Sequence, residues 1–312
     1  MYNKLRIIYM GSPGFAIEPL KGLFERHDII AVVTQPDKPK GRGLKLQACP
    51  VKQWALEHDL PVFTPLKVKD PEFLKKLREL SPDLIVVCAY GKILPKEVLE
   101  IPKHGCWNIH ASLLPKYRGA APINWAIIRG EKETGITIML MDEGMDTGPI
   151  LLQKAIPIEE EDTSITLAEK LSKLGKDAIL EAIELFFKGE ISPTPQSEEG
   201  VCYAPLLKKE DGFFTFDSPA IEIERKVRGL LPWPVAHTSY KNKLLKIFDA
   251  KVKESSSKDV PGKVLDVNEE GILVQCNPGS ILLKELQLAG KKRLKALEFA
   301  RGQRLKPGDL LH

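Results

Sequence analysis

The chain of 312 residues is 43% hydrophobic and 28% charged, with a formal net charge of +4. That length favours two domains with ample buried core, and ordinary globular composition excludes a disordered or fibrous chain. No apolar run approaches the roughly 18 residues that span a bilayer, and five scattered cysteines without a CxxC pair point to reduced thiols and away from structural zinc. A soluble, cytoplasmic protein without a membrane contact is the expectation.

In chain order, short apolar runs alternate with helical patterns. Residues 5–10 and 29–34 read as strands flanking a helix near 15–26. The first turn, Gly-Ser-Pro-Gly-Phe-Ala at 11–16, is not GxGxxG, which argues against a dinucleotide-binding dehydrogenase. After the second strand comes a basic segment, 37–52, carrying Lys38, Lys40, Arg42, Lys45 and Lys52 with no acid from 38 onward. Its two Pro and two Gly predict a loop that orders on contact with a partner. Residues 84–89 and 107–110 are further strands. Such alternation predicts an α/β fold, a Rossmann-like doubly wound and mostly parallel sheet, whose ligands collect at the carboxyl ends of the strands.

Two further apolar runs break at 142–149 like strands joined by a loop. A helix over about 163–188 follows, with apolar positions at Leu167, Leu171, Leu174, Ile179, Ile183 and Phe187. These elements make residues 1–188 one domain. The aperiodic stretch 189–205, rich in Pro, Ser and Glu, reads as a linker. Residues 206–312 hold one short helix pattern at 218–228 and β-type runs at 243–250, 262–267, 271–275 and 280–286. Recurring turn signals suggest a small antiparallel, OB-like barrel. From Pro205 onward there are 20 Lys and Arg against 14 Asp and Glu, so the basic excess lies in this part. A polyanionic partner would explain it, and so would a solvated lysine-rich surface. Trp54, Trp107, Trp125 and Trp233 read as packed aromatics before stacking platforms.

Chemistry concentrates at Asn-Ile-His, residues 108–110. On a strand, Asn108 and His110 share one face because side chains alternate with period two. Both would emerge at the ligand-binding edge of the sheet. An Asn amide can donate to a developing oxyanion, and a His can donate or move a proton. Asp146, between Gly144 and Gly148, could supply negative charge beside His110. Taken singly, a strand-end His is more often a packed residue and an Asp in a Gly-rich loop a turn former.

The set Asn-Ile-His-Ala-Ser-Leu-Leu-Pro at 108–115, with Met-Asp-Thr-Gly at 145–148 downstream, resembles the folate-dependent formyltransferases. The resemblance implies Asn108, His110 and Asp146 as catalytic residues, Ser112, Leu113, Leu114 and Pro115 against the folate, 10-formyltetrahydrofolate as co-substrate, and no metal. The segments 34–52, 86–100 and Pro-Trp-Pro at 232–234 are similar to those of the branch that formylates methionyl initiator tRNA. In that branch the basic loop reaches the acceptor stem, which implies tRNA contacts for Lys38, Lys40, Arg42 and Lys45. Formyl transfer to a small nucleotide or a nucleotide-linked amino sugar would keep the chemistry and change the acceptor; no obligate protein partner is expected. A noncatalytic tRNA binder would leave the Asn, His and Asp together by accident.

Overall fold

The structure, a computed structural model, describes residues 4–40 and 45–311. The chain divides into two compact units. The first comprises 1–122, 133–157 and 168–205, and the second 123–132, 158–167 and 206–312.

In the first unit, β1 (Arg6–Gly11), α1 (Ile17–Arg26) and β2 (Asp28–Val33) are followed by a hairpin of β3 (Lys38–Lys40) and β4 (Lys45–Gln47). Next come α2 (Pro50–Glu57), β5 (Val62–Phe63), α3 (Pro71–Leu80), β6 (Leu84–Cys88), α4 (Lys96–Leu99) and β7 (Cys106–His110). After the short β8 (Arg118–Gly119) the chain forms α5 (Pro122–Arg129), which falls in the second unit from residue 123 on, and then β9 (Glu133–Leu140), β10 (Ile150–Pro157) and α6 (Ser164–Lys188), which belongs to the first unit from residue 168 on. A two-residue β11 (Tyr203–Ala204) pairs in parallel with β8.

The main sheet has seven strands in the order β10-β9-β7-β6-β1-β2-β5. β7, β6, β1, β2 and β5 pair in parallel, while β9 and β10 join antiparallel. The chain builds outward from β1 through β2 to β5, then crosses back to β6. That reversal opens a crevice at the strand carboxyl ends.

Both faces of the sheet are covered, so its inner strands are apolar on both sides. Ile8, Met10, Ile85, Val87 and Cys106 pack with Phe73, Leu74 and Leu77 of α3 and Val98 of α4. On the other face, Trp107 meets Phe186 of α6 edge-on at 5.2 Å, and Ile109 lies against Gly175 of the same helix. The alternation sends Trp107 and Ile109 to α6, and Cys106, Asn108 and His110 to the α3 side. Each fully buried Ile or Leu contributes about 1.5–3 kcal/mol.

The second unit contains α7 (Ala220–Gly229), β12 (His237–Tyr240), β13 (Lys243–Lys253), β14 (Val264–Val267), β15 (Ile272–Gln275), β16 (Ser280–Leu288), β17 (Leu294–Lys295) and α8 (Ala296–Gln303). Its antiparallel sheet runs β12-β13-β16-β15-β14, with β17 on β16. No pairing joins the end strands β12 and β14 among the described residues. The expected antiparallel sheet is therefore present, and its ladder among the described residues does not by itself make it an OB-like barrel. Trp107 is a core residue at 1% exposure, whereas Trp233 stands 49% exposed, so the packed-aromatic expectation fails at the second.

Candidate active site

β7 delivers Asn108 and His110 to the carboxyl edge of the sheet, one strand from β1 across β6. β9 runs alongside in register, Met139 opposite Asn108 and Thr137 opposite His110. His110 is only 5% exposed. Its Nε2 lies 2.9 Å from the Tyr117 carbonyl, an acceptor only, so that nitrogen carries the proton. Nδ1 then faces Asp146 Oδ1 at 3.6 Å. The carbonyl of Tyr117, more than the carboxylate, fixes the ring. Tyr117 adopts φ +61°, a left-handed turn that aims this carbonyl back at the strand. Such a turn costs a residue with a side chain about 1–2 kcal/mol.

Asp146 also sits at positive φ, +55°, which Asp tolerates better than most. Its Oδ1 accepts from Asn108 Nδ2 at 3.3 Å and its Oδ2 from the backbone amide of Gly119 at 2.8 Å. One carboxylate thus joins the Asn amide, the imidazole and the turn after Tyr117. The amide of Asn108 has two hydrogens, so one remains to donate to a substrate oxygen. The loop between β9 and β10 has little freedom. A Cβ on Gly148 would stand 1.8 Å from the Leu140 carbonyl, and the Asp142 carboxylate accepts from both Gly144 N and Thr147 Oγ1.

Known proteins share this arrangement of strands and loops. Residues 11–183 match the family model described as Formyl transferase, and residues 206–304 match Formyl transferase, C-terminal domain. A methionyl-tRNA formyltransferase of Geobacter sulfurreducens is 52% identical over 98% of this chain and 96% of its own length. One of Caldanaerobacter subterraneus is 48% identical over 98% of this chain and all of its own.

The chain belongs to the methionyl-tRNA formyltransferase family.

Among solved structures, an N-formyltransferase of Helicobacter canadensis, complexed with folinic acid and dTDP-3-aminofucose, aligns with TM-score 0.68 at 19% identity, over 89% of this chain and 98% of that one. HypX of Aquifex aeolicus with tetrahydrofolic acid aligns with TM-score 0.67 at 20% identity, over 96% of this chain. This chain spans about half of that longer one, 47%. Both likenesses concern the fold.

Within this formyltransferase fold, the segment 112–115 is a tight turn. Ser112 is fully buried, its hydroxyl donating to the Lys116 carbonyl at 2.6 Å. Leu114 is buried at 3%; its amide donates to Thr137 Oγ1, and its carbonyl accepts from Gln153. Leu113 and Pro115 are half-buried. The basic segment is not a plain loop: β3 and β4 pair antiparallel, Pro39 opposite Leu46. Lys38 is exposed on β3, the backbones of Lys40 and Lys45 face each other, and Arg42 lies outside the described residues. Among the described residues, no group of three or more His, Cys, Asp or Glu is placed to hold a metal ion.

Three participants escape a sequence reading: the carbonyl of Tyr117, the amide of Gly119 and the segment 194–204. The first two are backbone atoms with no residue signature. The segment looks like a linker because its Pro and Ser show no periodicity, yet it is tied to the first unit. Thr194 and Ile150 exchange backbone hydrogen bonds at 2.7 and 2.8 Å, and Arg118 N donates to the Cys202 carbonyl at 2.9 Å.

Proposed function

We propose that this protein transfers the formyl group of 10-formyltetrahydrofolate to the α-amino group of methionyl initiator tRNA, giving N-formylmethionyl-tRNA for translation initiation in the cytoplasm. The observation that carries this reading is the joining of Asn108, His110 and Asp146 at the carboxyl end of β7, in a chain about half identical to named methionyl-tRNA formyltransferases along nearly its whole length.

In the reaction, the amine nitrogen bonds to the formyl carbon, the carbon–N10 bond breaks, and one proton passes from the amine to N10. Asn108 donates its remaining amide hydrogen to the carbonyl oxygen as negative charge develops there. His110, its Nε2 proton committed to Tyr117, uses Nδ1 to take the proton from the amine and return it to the leaving nitrogen. Asp146 stabilises the imidazolium that exists between those two transfers. Removing one oxyanion donor typically costs about 2.7–4 kcal/mol of transition-state stabilisation.

Leu66 and Ile93, 84% and 77% exposed, stand on the loops that leave the carboxyl ends of β5 and β6. Lys92 Nζ ties those loops together through the Pro65 and Leu66 carbonyls, both at 2.8 Å. An exposed apolar surface at this edge suits the flat rings of a folate. Leu113 and Pro115 are the members of 112–115 with surface to add to it. The basic hairpin leaves the same edge after β2, where Lys38, Lys40, Lys45 and Arg42 would meet tRNA phosphates. We assign residues 1–188 as the catalytic domain and 206–312 as the basic domain that adds affinity for tRNA.

The test is transfer of a radiolabelled formyl group onto charged initiator tRNA. Turnover on that acceptor, and none on glycinamide ribonucleotide or a nucleotide-linked amino sugar, is the expected result. Preferred turnover on either small acceptor would replace the reading.

A further inference from the structure

Gln196 lies in the aperiodic stretch before the second unit, between two anchor points on the first. One is the exchange of backbone hydrogen bonds between Thr194 and Ile150; the other is the pairing of β11 with β8. Its side chain is fully engaged. Oε1 accepts from Arg118 Nε at 3.2 Å and from Arg118 Nη2 at 2.8 Å. Nε2 donates to the carbonyls of Asp146 and Gly148, both at 2.8 Å. Two donors and two lone pairs are the whole capacity of an amide, and all four are used.

The partners matter more than the number. Arg118, only 5% exposed, follows Tyr117, whose carbonyl holds His110, and precedes Gly119, whose amide holds Asp146. The two carbonyls bracket Thr147 and belong to the loop that carries the carboxylate. Gln196 thus clamps together the two pieces of chain that fix His110 and Asp146. Asp146 is at positive φ, so its loop needs such outside support to keep its carboxylate aimed.

We infer that Gln196 is a positioning residue, which sets the Asp146 carboxylate against His110 and Asn108 and touches no substrate itself. The inference rests on the trio assigned above. An Asp146 displaced by even 1 Å weakens catalysis by on the order of 100-fold while leaving substrate contacts in place.

Gln196→Glu isolates the effect. A glutamate keeps both acceptor contacts to Arg118, so the buried guanidinium stays paired. It replaces the amide nitrogen by an oxygen that repels the Asp146 and Gly148 carbonyls. The expected result is a kcat for initiator tRNA formylation lowered about 10- to 100-fold, with KM for both substrates within about twofold of wild type. A second readout does not depend on turnover. The chain has six histidines, and with 13C-labelled histidine the His110 signal is assigned by its loss in His110→Ala. In Gln196→Glu that signal should move toward its position in Asp146→Ala, and the other five should stay.

Turnover within about twofold of wild type with an unmoved His110 signal would overturn the inference. So would displacement of all six signals together, since the amide would then merely hold the fold. A wild-type enzyme inactive on charged initiator tRNA would overturn the proposed function instead, and the His110 signal would still decide the role of Gln196.

Discussion

His110 is held by a carbonyl and faced by a carboxylate, and those two neighbours divide its work. The Tyr117 carbonyl fixes which nitrogen carries the resting proton; Asp146 faces the other, the one that exchanges a proton in the proposed mechanism. His110→Ala and Asp146→Ala should each lower kcat at least about 100-fold in a protein that still folds. A folded His110→Ala enzyme of near-normal kcat would remove the imidazole from the mechanism. Thiol chemistry gives a separate check on the fold. Burial pushes the Cys88 thiol up to about 12 despite a hydrogen bond with Tyr9 that pulls the other way, and burial raises Cys106 and Cys276 to about 12 as well. Thiolate is the reactive form, so these three should resist alkylation at neutral pH in the native protein. Half-exposed Cys49 and Cys202 should label first, and peptide mapping after brief iodoacetamide treatment would show it. At this scale the side chains are legible in the sequence. Two residues apart on a strand means one face, so the pairing of Asn108 with His110 follows from spacing. The atoms that aim them, Tyr117 O and Gly119 N, do not, because every residue has such atoms.

Among the elements, the long apolar ones are readable. The core strands are continuous Val and Ile runs because helices cover both faces of the sheet, and a sheet face open to water would instead alternate apolar with polar residues. α6 shows the helical period over 25 residues. α3 carries its own start signal too: the Asp70 carboxylate accepts from the amides of Glu72 and Phe73, with Pro71 at the first turn. The helix is short and half of its residues are charged, but Phe73, Leu74, Leu77 and Leu80 recur at helical spacing, so cap and periodicity both mark it in the sequence. The β3–β4 hairpin differs in kind. Its strands of Lys-Pro-Lys and Lys-Leu-Gln have neither β-branched residues nor an alternating apolar face, so composition points to a loop. Backbone pairing alone makes it a hairpin. Arg42 lies in the span it joins, and a guanidinium forks onto phosphate or base edges as an ammonium cannot. Arg42→Lys should impair formylation of tRNA and Arg42→Leu should impair it more, with folate binding unchanged. Equal turnover of Arg42→Leu and wild type on initiator tRNA would reject a tRNA role for the hairpin.

For the whole molecule, the excess of Lys and Arg after Pro205 has a measurable consequence. Much of that charge is already engaged. Lys251 pairs with Glu161, Lys263 with Asp259 and Arg293 with Glu285, and Arg293 also lies over the Phe248 ring at 4.1 Å. Lys291 and Lys292, beside it, are exposed. If they meet phosphates, replacing both by Ala in the full chain should weaken tRNA binding and reduce the slope of log K against log salt by about 0.7–0.9 for each phosphate no longer neutralised. An unchanged slope would make them a solvated surface. Cutting the chain at residue 188 is a poorer test, because it also removes Gln196 from the Asp146 loop. The sequence by itself determined the doubly wound sheet, the antiparallel character of the carboxyl-terminal part and the placing of Asn108 and His110 on one face of a strand, since hydrophobic periodicity and local spacing are properties of neighbours along the chain. Only the tertiary structure decided that residues 194–204 bind the first unit, that the carboxyl-terminal strands take the order β12-β13-β16-β15-β14, and that Gln196 reaches Asp146 across 50 positions. Those outcomes depend on hydrogen bonds between segments far apart in sequence, and nothing in the local pattern of either segment encodes its partner.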